Sequence, residues 1–477
     1  MSIVCGVAGF KGSDEKAALK VAAILAEEQN RGQGSAGIAI HLCGGGDEID
    51  VITKRGTVQD LRMRYDLRDY PGKTAVGVNR YATSGSTRFD MPPLRGEIDG
   101  QWMAFGVNGD TVNIDGKPWQ QYRTSLEAVY HARSDTEVLL HLLAQTEGKD
   151  PVERMCRAFP RVEGAFSVVA VLGDGRMVLL RDRWGFRPLW IGRSEHGVAV
   201  ASEDAALRGY QDLREVLPGE IIVIENDLTI AAWQYCPPAE RLHVCSFESV
   251  YLKKSGSRGV NRFRSACGEK LAAELIASRM AETISNHIVV PVLDSGRDAA
   301  LAFAYALGLR VVAGINRSRL SHEMRAFMAE NHDARVAIAE LKHVCDPEVL
   351  TGQDVILVED SLLRGDTLSS IIPVVRRYAR TVRVAIASPP VTGPCYYGIA
   401  TPTRNELYAS CHTIEETRRH IGADSLHYLS LAGYRSCFRH LSIAGYLEEL
   451  TPDQHVCDAC MSGNYPPFVP PRHSLPE

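Results

Sequence analysis

Apolar positions fall into two textures along this chain. From Cys5 to about Cys236, short apolar runs are broken every few residues by Gly, Asn and Asp. They are Cys5–Phe10, Ser35–Ile40, Thr74–Val78, Phe166–Val171, Met177–Leu180 and Glu220–Ile224. Runs this short and frequent predict strands in stacked antiparallel sheets. Two stretches, Glu15–Glu28 and Asp135–Gln145, carry Ala and Leu at helical spacing, the second with Ser134 as its cap. Beyond Cys236 the runs are continuous and alternate with helical patterns. Ile288–Leu293, Leu309–Ile315, Val355–Val358 and Arg383–Ser388 read as buried strands; helices follow over Ala299–Leu307 and from Leu368. Strands alternating with helices predict a parallel sheet. The Pro-, Ser- and Gly-rich end from about Tyr465 is expected to be poorly ordered.

With 477 residues the chain can bury two or three cores. A 45% hydrophobic and 23% charged composition is that of a globular protein, and a net charge of −5 with no Lys/Arg block argues against a nucleic-acid partner. No apolar run reaches the length of a membrane span, and Met-Ser-Ile-Val-Cys-Gly is not a secretory signal, so a cytoplasmic location is expected. In that setting the twelve cysteines read as core residues, a metal site or a nucleophile rather than disulfides.

Three groups of residues carry candidate chemistry. In Asp354-Val-Ile-Leu-Val-Glu-Asp-Ser-Leu-Leu-Arg-Gly-Asp-Thr367, a buried strand ends in Glu359 and Asp360, then a short loop opens a helix. Loop amides and a helix N-terminus suit a phosphate, Gly365 permits close approach and Thr367 adds a hydroxyl. The two acids would repel phosphate; they suit a sugar diol or Mg²⁺. Val292-Leu-Asp-Ser-Gly-Arg-Asp-Ala-Ala300 is a second strand-to-loop junction, two strands earlier. Cys5 could be a buried strand residue or a nucleophile towards an amide carbonyl. Cys457-Asp-Ala-Cys460 taken alone could be a zinc knuckle or a redox pair.

Taken together these segments resemble the amidophosphoribosyltransferases of the iron–sulfur type, over nearly the whole chain from Cys5 to Pro466. The Arg-Gly-x-Thr ending resembles their loop for phosphoribosyl pyrophosphate (PRPP). The resemblance implies that Glu359 and Asp360 hold the ribose hydroxyls and Mg²⁺. It also implies that Ser361, Arg364, Gly365, Asp366 and Thr367 cradle the 5′-phosphate. Asp294, Ser295 and Gly296 then handle pyrophosphate, with Ser295 at the metal. Cys5-Gly-Val-Ala-Gly-Phe10 resembles the opening of N-terminal-nucleophile amidotransferases, in which the cysteine's own α-amino group is the base. Asn79-Arg-Tyr-Ala-Thr-Ser-Gly85 then supplies Arg80 and Thr83 for glutamine, Arg80 gripping the α-carboxylate. Asn108 and Gly109 form the oxyanion hole, and Asp135, in Ser134-Asp-Thr-Glu137, receives the α-ammonium. Arg181–Leu189 and Ala201–Glu203 match framework segments. Cys245, Cys395, Cys457 and Cys460 occupy the four ligand positions of a [4Fe–4S] cluster, with zinc as the alternative.

The implied fold is an N-terminal-nucleophile αββα sandwich followed by a type I phosphoribosyltransferase open α/β domain. Its expected divisions are a propeptide over 1–4, a glutamine amidotransferase domain over 5–236, a transferase domain over 237–445 and a ligand-bearing tail over 446–477. The implied reaction makes 5-phosphoribosylamine, pyrophosphate and glutamate from PRPP, glutamine and water, by passing ammonia between domains. By the same analogy the enzyme is a homotetramer with purine nucleotide effectors, binding no nucleic acid and no membrane. Departures point to a diverged member. Asn30 stands where His is usual, Gly34 where an acid is usual, and Val107 where His precedes the oxyanion Asn. After Asn316-Arg317 the pattern of the loop that closes over PRPP gives way to Ser318–Met324. A transferase using ammonia or another amine, with a silent first domain, and a non-catalytic protein that senses PRPP or nucleotides remain as alternatives.

Overall fold

The structure, a computed structural model, describes residues 5–81, 90–126, 128–278, 280–317, 343–399, 401 and 403–468. Thr83 and Ser318–Met324 therefore lie outside the described residues, as do the four residues before Cys5.

The short runs of the first half do pair as antiparallel strands, in two sheets. One runs in the order Gln211–Glu215, Trp190–Ser194, Gly197–Ala201, Gly6–Gly12, Thr74–Arg80, Ser35–His41, Ile49–Arg55. The other runs Ile230–Gln234, Glu220–Ile224, Met177–Arg181, Val162–Leu172, Gln101–Ile114, Leu94–Ile98. Alternation along each strand sorts its residues between two cores. Val7, Ala39, Val76 and Val78 meet Ala104, Val169, Leu179 and Ile222 between the sheets. Phe10, Ile38, Ile40 and Ala75 face outward onto Val21 and Leu25 of the helix Ala17–Glu27. On the far side, Phe105, Val168 and Val178 pack under Leu139, Leu143 and Met155 of the helices Asp135–Gln145 and Pro151–Ala158. Helix, sheet, sheet, helix is the resulting order of layers.

Further along, five parallel strands lie in the order Arg310–Val311, Ile288–Pro291, Asp354–Glu359, Thr381–Ile386, Ser425–Tyr428. Val289, Ile356, Val358 and Ala385 point to one face, covered by Phe263 and Leu271 of Val260–Ala277 and by Phe303 of Arg297–Leu307. Ile288, Val290, Leu357 and Val384 point to the other, covered by Ile371 and Val375 of Asp366–Val375 and by Ile421 of Ile414–Ile421. Both faces are buried, which is why these strands read as continuous apolar runs rather than alternating ones.

Three expectations are corrected. The run Leu309–Ile315 is two strands: Arg310–Val311 joins the parallel sheet, and Ile315–Arg317 pairs instead with His343–Cys345, past the break at Gly314. Ser134 occupies the cap position of its helix without a side-chain bond to it, its hydroxyl buried and unbonded. Packing continues past Tyr465 to Phe468, the last described residue. The Tyr465 hydroxyl donates to the Pro394 carbonyl at 2.7 Å, and Phe468 lies against Trp184 with ring centroids 4.2 Å apart.

Candidate active site

Strand register brings the first group together. Gly6 pairs with Asn79 in an antiparallel ladder, which sets Arg80 opposite Cys5. The Cys5 backbone N–H donates to Asn108 Oδ1 at 3.1 Å, joining the two sheets at their shared core. That leaves Asn108 Nδ2 fully buried and, among the described residues, without a hydrogen-bond partner. Gly109, next along the strand, has φ +128°, and a Cβ there would sit 1.8 Å from the Ala165 carbonyl oxygen. Only glycine fits. Asp135 is completely buried; its Oδ2 accepts from Thr111 N at 2.9 Å and its Oδ1 from Thr136 N at 3.0 Å.

The Cys5 thiol is pushed up to about 11, chiefly by burial. Arg80 pulls against that rise, the Tyr81 backbone N–H reaches the thiol, and Asp135 adds to the rise. At neutral pH the group is therefore a thiol.

The second group forms where two neighbouring parallel strands end. Pro291 and Val358 are in register, so the loops that follow them leave the sheet side by side. The Ser295 hydroxyl donates to Asp360 Oδ2, and the Ser361 hydroxyl donates to Asp360 Oδ1. Glu359 and Asp360 are both buried. A Cβ at Gly296 would lie 2.7 Å from both the Val292 and Val358 carbonyl oxygens, so the two loops pass within backbone contact. Asp294 stands at the exposed rim, 3.7 Å from Arg297. Gly365, at φ +81°, turns the chain into the helix Asp366–Val375. Arg364, Asp366 and Thr367 are exposed around that helix start. From outside, Tyr408 N donates to the Leu363 carbonyl at 2.8 Å and His420 lies against Gly365.

The third group meets between the two halves. Val244–Cys245 pairs with Val456–Cys457 as a short parallel ladder, Cys245 opposite Cys457. Cys245, Cys395, Cys457 and Cys460 line one cavity with Phe186, Arg187 and Tyr397. Backbone N–H groups point at two of the sulfurs: Glu248 N to Cys245 and Tyr397 N to Cys395, each at 3.4 Å. None of the twelve cysteines is in a disulfide. Among the described residues, no three His, Cys, Asp or Glu side chains converge as a single ion requires.

Residues 93–209 match the model of a glutamine amidotransferase domain. An amidophosphoribosyltransferase of Pyrococcus horikoshii is 35% identical over 98% of this chain and 97% of its own length. The enzyme of that name from Bacillus subtilis is 31% identical over 97% of this chain and 94% of its own. The chain belongs to the amidophosphoribosyltransferase family. Two solved structures agree. The B. subtilis glutamine PRPP amidotransferase complexed with ADP and GMP superposes with a TM-score of 0.83 at 30% identity, covering 97% of each chain. A structure described as the allosteric regulatory enzyme of purine biosynthesis gives 0.85 at 29%, covering 99% of each.

Within that family frame, the positions where this chain departs have definite surroundings. Asn30 Nδ2 donates to Glu203 Oε1 at 3.2 Å and to the Leu252 carbonyl at 2.8 Å, tying the first sheet to the transferase side. Val107 packs in the core beneath the helices of the second sheet. Gly34 N donates to the Arg80 carbonyl at 2.7 Å, bracing the strand that presents Arg80.

One set of residues was quoted in the sequence without a role. Arg31 and Arg187 are fully buried and converge on Glu248; Arg31 also reaches Glu203 at 2.8 Å, and its Nε donates to the Cys5 carbonyl at 3.1 Å. Arg187 and Glu203 sit inside the framework segments noted above, and Arg31 directly follows Asn30. Nothing in their spacing announced that they would meet.

Proposed function

We propose that this chain hydrolyses glutamine at Cys5 and delivers the ammonia to PRPP, giving 5-phosphoribosylamine, pyrophosphate and glutamate. The observation that carries the reading is the state of Asn108. Its Oδ1 fixes the nucleophile's nitrogen while its buried Nδ2 donor is unused. A preorganised donor facing the place where negative charge develops is what acyl transfer from an amide needs.

On this reading Arg80 takes the α-carboxylate of glutamine and Asp135 its α-ammonium; Thr83, the third residue expected to bind glutamine, lies outside the described residues. Once residues 1–4 are removed, the freed α-amino group of Cys5 takes the thiol proton. The thiolate attacks the amide carbon, the Asn108 amide and the Gly109 N–H receive the oxyanion, and ammonia leaves. Water then releases glutamate. In the second site the Ser361–Thr367 loop holds the 5′-phosphate through its amides, while Asp294, Ser295 and Gly296 face pyrophosphate. Ammonia replaces pyrophosphate at carbon 1 of the ribose. Enclosure keeps the ammonia from protonation on its way.

Two resident groups fit the side chains present. Ser295, Glu359 and Asp360 gather hard oxygen donors where two strands end, the donor type for Mg²⁺, which needs few protein ligands when a substrate supplies phosphates. Bound there, it would neutralise the leaving pyrophosphate. The four thiols surround a cavity rather than a point, with backbone N–H donors on two sulfurs and the buried Arg187 beside them. That favours a [4Fe–4S] cluster over a lone zinc ion, whose sulfurs close to about 2.3 Å from the metal. The cluster's role would be to pin the tail, 446–477, to the transferase domain, 237–445, and to the glutaminase, 5–236. The reading extends to purine nucleotide effectors, a homotetramer and a cytoplasmic location, in keeping with the family.

The test is pyrophosphate release from PRPP by anaerobically purified protein, with glutamine or ammonium as nitrogen source, alongside the intact mass. Release with both, from a chain beginning at Cys5, is the expected result. Release with ammonium alone, from a chain still carrying Met1–Val4, would leave a transferase with a silent first domain.

A further inference from the structure

The nucleophile is anchored from outside its own domain. Arg31 Nε donates to the Cys5 carbonyl at 3.1 Å, and its two terminal nitrogens are held by Glu203 and Glu248. Glu248 follows the strand Val244–Cys245 and opens the turn Glu248–Leu252, beyond the last strand of the sandwich. Its second oxygen accepts from Arg187 Nη1 at 2.7 Å. The side chains of Arg31, Arg187 and Glu248 are at most 1% exposed. Two buried guanidiniums from one domain thus share a single carboxylate from the other. Burial works against that charge, but Arg31 and Arg187 outweigh it and hold the carboxyl at about 2.

A second contact runs the same way. The backbone of Gly398, three residues after Cys395, lies against Gly109; a Cβ at Gly398 would come within 3.2 Å of the Gly109 Cα. Both the nucleophile and the glycine beside Asn108 therefore rest on the transferase side.

We propose that Glu248 is a positioning residue for the glutaminase, acting through Arg31 on Cys5. The proposal rests on the reading of Cys5 as nucleophile. When a cut makes Cys5 the chain terminus, it loses its covalent tether on one side. Its nitrogen on Asn108 and its carbonyl on Arg31 then fix where the thiol points. Arg31 keeps its direction because Glu203 and Glu248 hold both ends of its fork. With Glu248 neutralised, the guanidinium can swing towards Glu203 and release the carbonyl. A displacement of the order of 1 Å at a reacting group costs up to about a hundredfold in rate.

The experiment compares wild type with Glu248→Gln in two reactions. One is alkylation of Cys5 by a diazo-ketone analogue of glutamine, normalised to the fraction of chains that begin at Cys5. The other is pyrophosphate release with glutamine or with ammonium. The expected result is a roughly tenfold to hundredfold fall in alkylation and in glutamine-dependent kcat, with the KM for glutamine and the ammonium-dependent rate unchanged. Equal alkylation in variant and wild type overturns the proposal alone, as does a parallel loss of both nitrogen sources. A wild-type Cys5 that does not react at all overturns the amidotransferase reading and the proposal with it. If Glu248→Gln does not fold, Arg31→Lys is read by the same criteria. It keeps the charge between the two glutamates and removes the Nε donor.

Discussion

Around Cys5, chemistry is gathered from across the fold; around Asp360, it comes from two strand ends that are neighbours in one sheet. Cys5 and its Asn108 partner are 103 residues apart, and Arg31 and Glu248 are 217 apart. Ser295 and Asp360 are 65 apart, yet the register of two adjacent strands brings them into hydrogen-bond contact. The difference lies in what holds each site. A site at the ends of adjacent parallel strands inherits its geometry from the sheet itself. A site between stacked sheets draws its polar partners from distant parts of the chain, so its geometry is a property of the whole sandwich and of what packs behind it.

If the comparison is right, substitutions in the two sites should separate the nitrogen sources. The largest effect is expected from Cys5→Ala. Glutamine-dependent pyrophosphate release should fall by at least about a thousandfold for want of the nucleophile, with ammonium-dependent release retained. Asn108→Ala removes one oxyanion donor and should lower glutamine-dependent kcat by roughly 100- to 1000-fold, again sparing ammonium. Asp360→Asn belongs to the other site and should cut release with either nitrogen source alike, by about a hundredfold, with Cys5 alkylation untouched. A selective loss of glutamine use in that variant would break the comparison. The smallest effect is expected at Thr413. Its hydroxyl and Glu416 form a capping box on the helix Ile414–Ile421. Thr413→Ala should cost about 1 kcal/mol of stability, read as a few °C in Tm, without moving either rate.

Much of this was legible because periodicity is a local property. The antiparallel runs before Cys236 and the doubly buried strands after it follow from where apolar residues recur. So do the helix Asp135–Gln145, which begins and ends as expected, and the loop that Gly365 turns. Local signals were also passed over. The helix Pro151–Ala158 has Asp150 as a bonded cap and Pro151 at its first position, and the helix Val58–Arg64 opens on a Thr57–Asp60 capping box. The strand Gln101–Ile114 escaped notice for a different reason. Asn108, Asp110 and Asn113 are polar residues buried in it, and a strand that presents a site does not alternate cleanly.

The sequence by itself determined the two textures, the strand and helix periods behind them, and the contiguous motifs that a strand end and its loop can carry. Tertiary structure decided what those motifs touch: Arg80 opposite Cys5, an unused amide on Asn108, four cysteines around one cavity, and Glu248 between two arginines. The physical reason is that hydrophobic burial repeats with the period of the backbone, whereas buried charge and hydrogen-bond pairing repeat with nothing. A guanidinium in the core must find its carboxylates wherever folding brings them, and only the assembled chain says that for Arg31 one of the two, Glu248, comes from beyond the last strand of the sandwich.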